Sequence, residues 1–181
     1  MDVSELEVYG LPLAPNTTLV SHPRKLTRKR TAMFGFSSSL AGSTFQCHVD
    51  RSPFTACTTP TTVRSLTHGT HTFYVRARKD GAFDATAAKW TWRVDLKRPN
   101  TTILTAPPAR FALQTARFAF RSSESGSTFQ CSLDARRFRA CSARKTYRGL
   151  SHGRHVLRVR AKDRAGNLDP TPARHVWRVG S

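Results

Sequence analysis

The strongest constraint on this chain is that it contains one stretch twice: Gly42-Ser43-Thr44-Phe45-Gln46-Cys47 returns 84 positions later as Gly126-Ser127-Thr128-Phe129-Gln130-Cys131. A repeat of that period divides the 181 residues into two units, each of ordinary domain size. Boundaries follow from the alignment of the copies. Residues 1–14 form an N-terminal arm or linker, 15–95 the first copy, 96–98 a linker and 99–181 the second.

Within each copy the apolar residues alternate with a period of two, the mark of a strand with one buried face. Phe34 and Phe36 match Phe118 and Phe120, and Phe45, Cys47 and Val49 match Phe129, Cys131 and Leu133. The most regular strands place His71, Phe73, Val75 and Ala77 inward in one copy and His155, Leu157, Val159 and Ala161 inward in the other. Trp90, Trp92 and Val94, matched by His175, Trp177 and Val179, complete the inner faces. The offset changes from 84 to 85 in the hairpin joining these last two strands, where a loop absorbs one extra residue. No segment carries the i, i+3, i+4, i+7 pattern of a helix. About seven short strands per copy, separated by turn signals, predict an all-β fold of two tandem β-sandwich domains.

Four cysteines are shared two per copy. Cys47 and Cys57, like Cys131 and Cys141, lie ten apart across a hairpin-like reversal that can bring the sulfurs together. The zinc alternative requires close Cys-x-x-Cys pairs, which are absent. His68 and His71 recur as His152 and His155, a spacing that could suggest a metal but, on a turn running into a strand, fits hydrogen bonding at the core edge better. Asp163, Asn167 and Asp169 could offer oxygens to calcium; their Gly-Asn and Asp-Pro neighbours are equally good turn formers, and the first copy lacks the set. Asn16 and Asn100 sit in Asn-x-Thr acceptors and read more simply as Asx-type caps on a strand start. No metal and no cofactor is implied.

The quoted residues resemble a bacterial, actinobacterial immunoglobulin-like repeat of secreted and cell-surface proteins. The second copy carries its pattern as Ser122-Ser123-Glu124, Gly126 to Asp134, Phe138, Cys141, Tyr147, Leu150, Gly153, His155, Val159-Arg160-Ala161, Asp163, Ala165-Gly166-Asn167, Asp169-Pro170-Thr171-Pro172-Ala173 and Trp177. The first departs from it, with Lys79 to Asp84 in place of the Asp-x-Ala-Gly-Asn loop and Leu40 in place of Glu124. The resemblance implies two tandem immunoglobulin-like, fibronectin III-like β-sandwich domains that form a non-enzymatic, disulfide-stapled module serving as a spacer or adhesive unit of an extracellular or cell-surface protein, or as an accessory domain of a secreted hydrolase.

Charge is the feature that exceeds what the fold needs. Thirty Lys and Arg stand against eleven Asp and Glu, a net +19, and residues 99–181 alone hold sixteen bases and four acids. A field of that sign favours anionic polymers and acidic protein surfaces. The alternation places Arg76, Arg78, Lys89 and Arg93 on one outer face, and Arg158, Arg160, Lys162, Arg174 and Arg178 on its counterpart. With the aromatic residues mostly spent on the core, Tyr74 being the main exception, any contact with nucleic acid is expected to be sequence-indifferent and sensitive to salt. The acidic start of the chain, Asp2, Glu5 and Glu7, is unlike a signal peptide, so an export signal would lie elsewhere. A structural role in a phage virion, as a decoration or tail protein, is the alternative that uses the same basic face. Catalysis has little support: there is no Gly-x-Ser-x-Gly elbow, no His-Glu-x-x-His and no phosphate-binding glycine loop.

Overall fold

A computed structural model describes residues 12–180. The expected arm over 1–14 therefore lies, through residue 11, outside the described residues. The chain divides between Leu96 and Lys97 into two compact units.

Unit 1 contains β1 (Thr17–Ser21), β2 (Leu26–Thr27), β3 (Ala32–Ser38), β4 (Thr44–Val49), β5 (Thr55–Cys57), β6 (Thr61–Val63), β7 (Gly69–Lys79), β8 (Ala82–Phe83) and β9 (Ala88–Val94). One sheet has the order β1-β3-β6; the other has the order β2-β9-β7-β4-β5, with β8 on the end of β7. Unit 2 repeats this plan with β10 (Thr101–Thr105), β11 (Arg110–Phe111), β12 (Ala116–Ser122), β13 (Thr128–Leu133), β14 (Arg139–Cys141), β15 (Arg144–Tyr147), β16 (Gly153–Lys162) and β17 (Ala173–Val179). Its sheets run β10-β12-β15 and β11-β17-β16-β13-β14.

Each unit has more strands than the seven expected, because the chain changes sheet early. After a bulge between Leu19 and Ser21, β1 ends at Ser21 and leaves its partner β3, and from Leu26 β2 joins the other sheet parallel to β9. In unit 2 a bulge between Ile103 and Thr105 precedes the same switch to β11 and β17.

The period-two alternation governs the long strands, with β13 breaking it where neighbouring Cys131 and Ser132 are both buried. Phe34, Phe73, Val75, Trp92 and Val94 are buried in unit 1, and Phe118, Leu157, Val159, Trp177 and Val179 in unit 2. Phe34 stacks on Phe73 at 4.0 Å between ring centroids and meets Trp92 edge-on at 5.2 Å. Trp90 and His175 stop half-buried at the margins of these cores. Trp90 is covered from outside by the His22 ring and by Lys25, whose Nζ lies 3.7 Å from the indole centroid.

Both expected disulfides form, Cys47–Cys57 and Cys131–Cys141, and no cysteine is left free. Each lies within one sheet, tying β4 to β5 or β13 to β14, with Cys47 opposite Thr55 and Cys57 opposite Phe45. The bond therefore clamps an edge hairpin instead of riveting the two sheets. Closing so short a loop contributes about 3 kcal/mol at most on the chain-entropy view.

Candidate anion-binding face

The outer face of the larger sheet is built by β4, β7 and β9 in unit 1 and by β13, β16 and β17 in unit 2. In unit 1 its cations stand opposite neutral residues: Arg76 faces Gln46, Arg78 faces Thr44, Lys89 faces Tyr74, and Arg93 faces Thr70. Arg76 is also held in place. Its Nε and Nη2 donate to Gln46 Oε1 at 3.1 and 2.8 Å, and its guanidinium lies 4.1 Å from the Phe54 ring and 4.3 Å from the Phe83 ring. Two of its N–H donors are thus consumed by the protein itself. The His48 ring stacks on Tyr74 at 4.5 Å and meets Phe54 edge-on. Tyr74 thus has more company outside the core than expected: His48 on β4 stacks on it, and Phe54, just before β5, and Phe83, on β8, flank the Arg76 guanidinium.

Unit 2 uses the same positions differently. Arg158 pairs directly with Arg174, and Arg154 directly with Arg178, across the β16–β17 ladder. All four are exposed. Among the described residues none of the four has a carboxylate within ion-pair reach. Arg154 was not among the residues expected here, although extending the alternation of β16 by one step past Gly153 would have placed it on this face. Arg160 is the counterpart of Arg76: Nε donates to Gln130 Oε1 at 2.9 Å and the guanidinium sits 4.2 Å from Phe138. Lys162 stands exposed opposite Thr128 at the far end of β16. Beside the arginine pairs a shallow hollow of about 290 Å³ is lined by Asp134, Ala135, Arg154, Val156, Arg158 and Arg174.

Asp134, the one carboxylate in that lining, is engaged elsewhere. It sits at φ 51°, in the left-handed region Asp tolerates better than most residues, and its Oδ1 accepts the Val156 N–H at 2.9 Å. Its Oδ2 meets His155 Nδ1 at 2.8 Å, while His155 Nε2 meets the Ser151 carbonyl at 2.9 Å. Unit 1 repeats the device with Asp50, His71 and Thr67. Because both ring nitrogens face acceptors, the doubly protonated imidazolium satisfies the site best. Burial alone would depress the His71 ring, but the Asp50 hydrogen bond, the Thr67 carbonyl and the Asp50 charge outweigh it and raise it above its ordinary value. For His155 burial is likewise outweighed, by the Ser151 carbonyl and then by the Asp134 bond and charge.

The sign follows from linkage: a group raised on folding stabilises fully below its unfolded value, about 6.5, and loses that contribution as pH climbs through the folded one. Melting temperature should therefore fall as pH rises above about 6.5, and the fall should be smaller in His71→Gln/His155→Gln. Parallel curves for the two proteins would refute the histidine assignment.

The residues weighed as calcium ligands serve the fold. Asp163 Oδ1 accepts the N–H groups of Gly166 and Asn167 at 2.6 and 2.8 Å, and Oδ2 accepts Asn167 Nδ2 at 2.8 Å. Asp169 Oδ2 accepts the Thr101 N–H at 2.8 Å, and Oδ1 accepts the Thr171 N–H and hydroxyl. Asp84 does the same in unit 1 for Thr17 and Thr86. The strand-start caps expected from Asn16 and Asn100 come instead from other side chains: Ser39 and Ser123 hydroxyls accept the two Asn N–H groups.

No family model and no curated protein matches the chain. Among solved structures it is similar to the fibronectin(III)-like modules of CbhA from Clostridium thermocellum, with a TM-score of 0.51 at 12% identity over 91% of this chain and 94% of that one. The chicken CNTN1 FN1–FN3 domains match at a TM-score of 0.48 and 9% identity, over 91% of this chain and 68% of that one. At such identities the likeness is one of fold: the chain is all-β and fibronectin III-like.

Proposed function

We propose that this chain is a non-enzymatic tandem binding and spacer module working outside the cell or at its surface, and that the arginine ladder of unit 2 holds anionic polymers or acidic partner surfaces. The observation that carries the reading is the register of β16 and β17, which sets Arg158 directly opposite Arg174 and Arg154 directly opposite Arg178. Like charges directly opposed on a sheet are destabilising. An anion seated between them reverses that sign, and guanidinium forks suit sulfate, phosphate and carboxylate groups. Unit 1, with Arg78, Lys89 and Arg93 opposite neutral partners, supplies a weaker second face.

Two further features support the reading. Disulfides persist in oxidising compartments, which fits an extracellular site of action. The buried carboxylates are consumed by backbone donors, Asp163 within its own loop and Asp84 and Asp169 also by the Thr17 and Thr101 N–H groups at the starts of β1 and β10, and His71 and His155 are consumed by carboxylates and carbonyls, so groups that could do acid–base chemistry are structural. In addition, no helix among the described residues is long and apolar enough to cross a membrane.

The test is binding to heparin and to a mixed-sequence DNA duplex across a salt series. Wild type should bind both with a steep salt dependence, and Arg154→Gln/Arg158→Gln/Arg174→Gln/Arg178→Gln should lower the slope of log affinity against log salt on the duplex by about 3. Arg78→Gln/Lys89→Gln/Arg93→Gln should lower it less. Wild-type elution from heparin at low ionic strength, or an unchanged slope in the fourfold variant, would overturn the proposal.

A further inference from the structure

Unit 2 has a second basic surface, separate from the ladder. Its consecutive strands β14 and β15 belong to opposite sheets, and each is the last strand of its sheet. Where they diverge they leave a cleft of about 980 Å³, near the upper end of the range usual for ligand sites, roughly 300–1,000 Å³. Its floor is apolar, made by the Cys131–Cys141 disulfide, Leu133, Tyr147 and Leu150. Its rim is cationic, with Arg136, Arg137, Arg139, Lys145 and Arg148. Lys145 and Tyr147 turn toward the cleft on the half-buried positions of β15, while Arg144 and Thr146 point away.

Unit 1 supplies the control. The same place there is a hollow of about 530 Å³ lined by its own disulfide, Val49, Val63 and Phe73 among others, with no Lys or Arg in the lining. At the 84-residue offset Arg136 becomes Ser52, Arg137 becomes Pro53, Arg139 becomes Thr55 and Lys145 becomes Thr61. The fold is thus built with or without these cations. None of the guanidinium groups of Arg136, Arg137, Arg139 and Arg148 has a hydrogen-bond or ion-pair partner among the described residues, and the one acid in the lining, Asp134, is held by His155 and the Val156 N–H.

From this we infer that the β14–β15 cleft of unit 2 is a docking site for an extended acidic polypeptide segment with apolar residues alternating among its carboxylates. Three features converge on that occupant. The rim is complementary to carboxylates, the floor accepts an aliphatic side chain, and β14 and β15, each the last strand of its sheet, leave an outer edge to which a strand can add. A sulfated glycan or a nucleic acid would use the rim alone and leave the apolar floor and the strand edges unanswered. Burial of the apolar side chains and the main-chain bonds supply affinity, and the cations select for acidic sequence and hasten encounter.

The experiment measures fluorescence anisotropy of labelled peptides added to the full chain. The probes are an alternating Glu-Leu heptapeptide, its Gln-Leu counterpart, and a Glu-Ser peptide of the same length and charge. The Glu-Leu peptide should bind at least about tenfold more tightly than either control. The triple variant Arg136→Ser/Arg139→Thr/Lys145→Thr, which installs residues unit 1 already tolerates, should weaken it about tenfold or more while the thermal melt stays in place. The ladder variant with Gln at 154, 158, 174 and 178 should bind the peptide as wild type does, which separates this site from the heparin-binding face. On binding, amide exchange should slow over residues 139–147. Equal binding of Glu-Ser and Glu-Leu would make the cleft a simple polyanion surface and overturn the inference, as would full binding by the triple variant or no binding at all.

Discussion

Trp177→Ala should unfold unit 2 some 15–30 °C earlier while the transition of unit 1 stays where it is. Trp177 is 1% exposed, meets Phe118 edge-on at 5.3 Å and lies against His155 at 5.4 Å, so its removal opens a large void at the centre of the core. Truncating a buried Trp costs about 3–5 kcal/mol, and in a domain of this size each kcal/mol shifts the midpoint by roughly 4–8 °C. The remaining tryptophans, Trp90 and Trp92, both lie in unit 1, so indole fluorescence of the variant follows that unit alone and far-ultraviolet circular dichroism follows both. The Trp177 indole N–H has no acceptor among the described residues. Trp177→Phe therefore forfeits packing only and should cost about 1–1.5 kcal/mol. A single unshifted transition in the alanine variant would show that the core is not centred where described.

Asp84→Ala should be nearly as damaging to unit 1, by about 3 kcal/mol at neutral pH, because several donors lose one shared acceptor. The Thr17 N–H bonds to Oδ2 at 2.7 Å and the Thr86 N–H to Oδ1 at 2.9 Å, both close to the point where β1 begins. Thr17 in turn uses its hydroxyl to accept the Ala77 N–H, so the carboxylate also secures a contact one step away. Hydrogen bonds to a charged group contribute about 1.5–3 kcal/mol each, and a buried donor left without a partner costs its desolvation. Burial pushes the Asp84 carboxyl up, yet the donors from Thr17 and Thr86 outweigh it and hold it below its ordinary value. The contribution is consequently present above the unfolded value, about 3.9, and lost as pH falls through the folded one. Urea titrations of wild type and variant should converge in acid. A gap that persists undiminished to about pH 2 would assign the loss to shape instead of charge.

How far the chain could be read from its residues depends on whether the determinant is local. The inward row of β7, His71 to Ala77, is set by side-chain alternation along one strand and needs nothing from elsewhere. The disulfides are a ten-residue relation across one hairpin. β2 is different: two residues, Leu26 and Thr27, become a strand only because β9 lies beside them, 67 positions along the chain. Arg76 looks like any outward arginine until Gln46, Phe54 and Phe83 arrive from three other segments to hold it. Asp169 looked like a feature of the second copy because the extra residue in the loop moves its equivalent, Asp84, from an offset of 84 to one of 85. Arg154 was legible from alternation, but the face-to-face pairing that makes it matter required the register of two strands.

The early change of sheet has a mechanical meaning. In each unit the short strand near the start runs in the same direction as the final strand, joined through Arg93 N to Lys25 O and Asp95 N to Thr27 O in unit 1, and through Arg178 N to Ala109 O and Gly180 N to Phe111 O in unit 2. Tension applied at the two ends of a unit slides such strands lengthwise past one another, so both bonds must yield together, whereas antiparallel neighbours pulled from adjacent ends would peel apart one bond at a time. A tether built of such units would hold its length under load and give way abruptly.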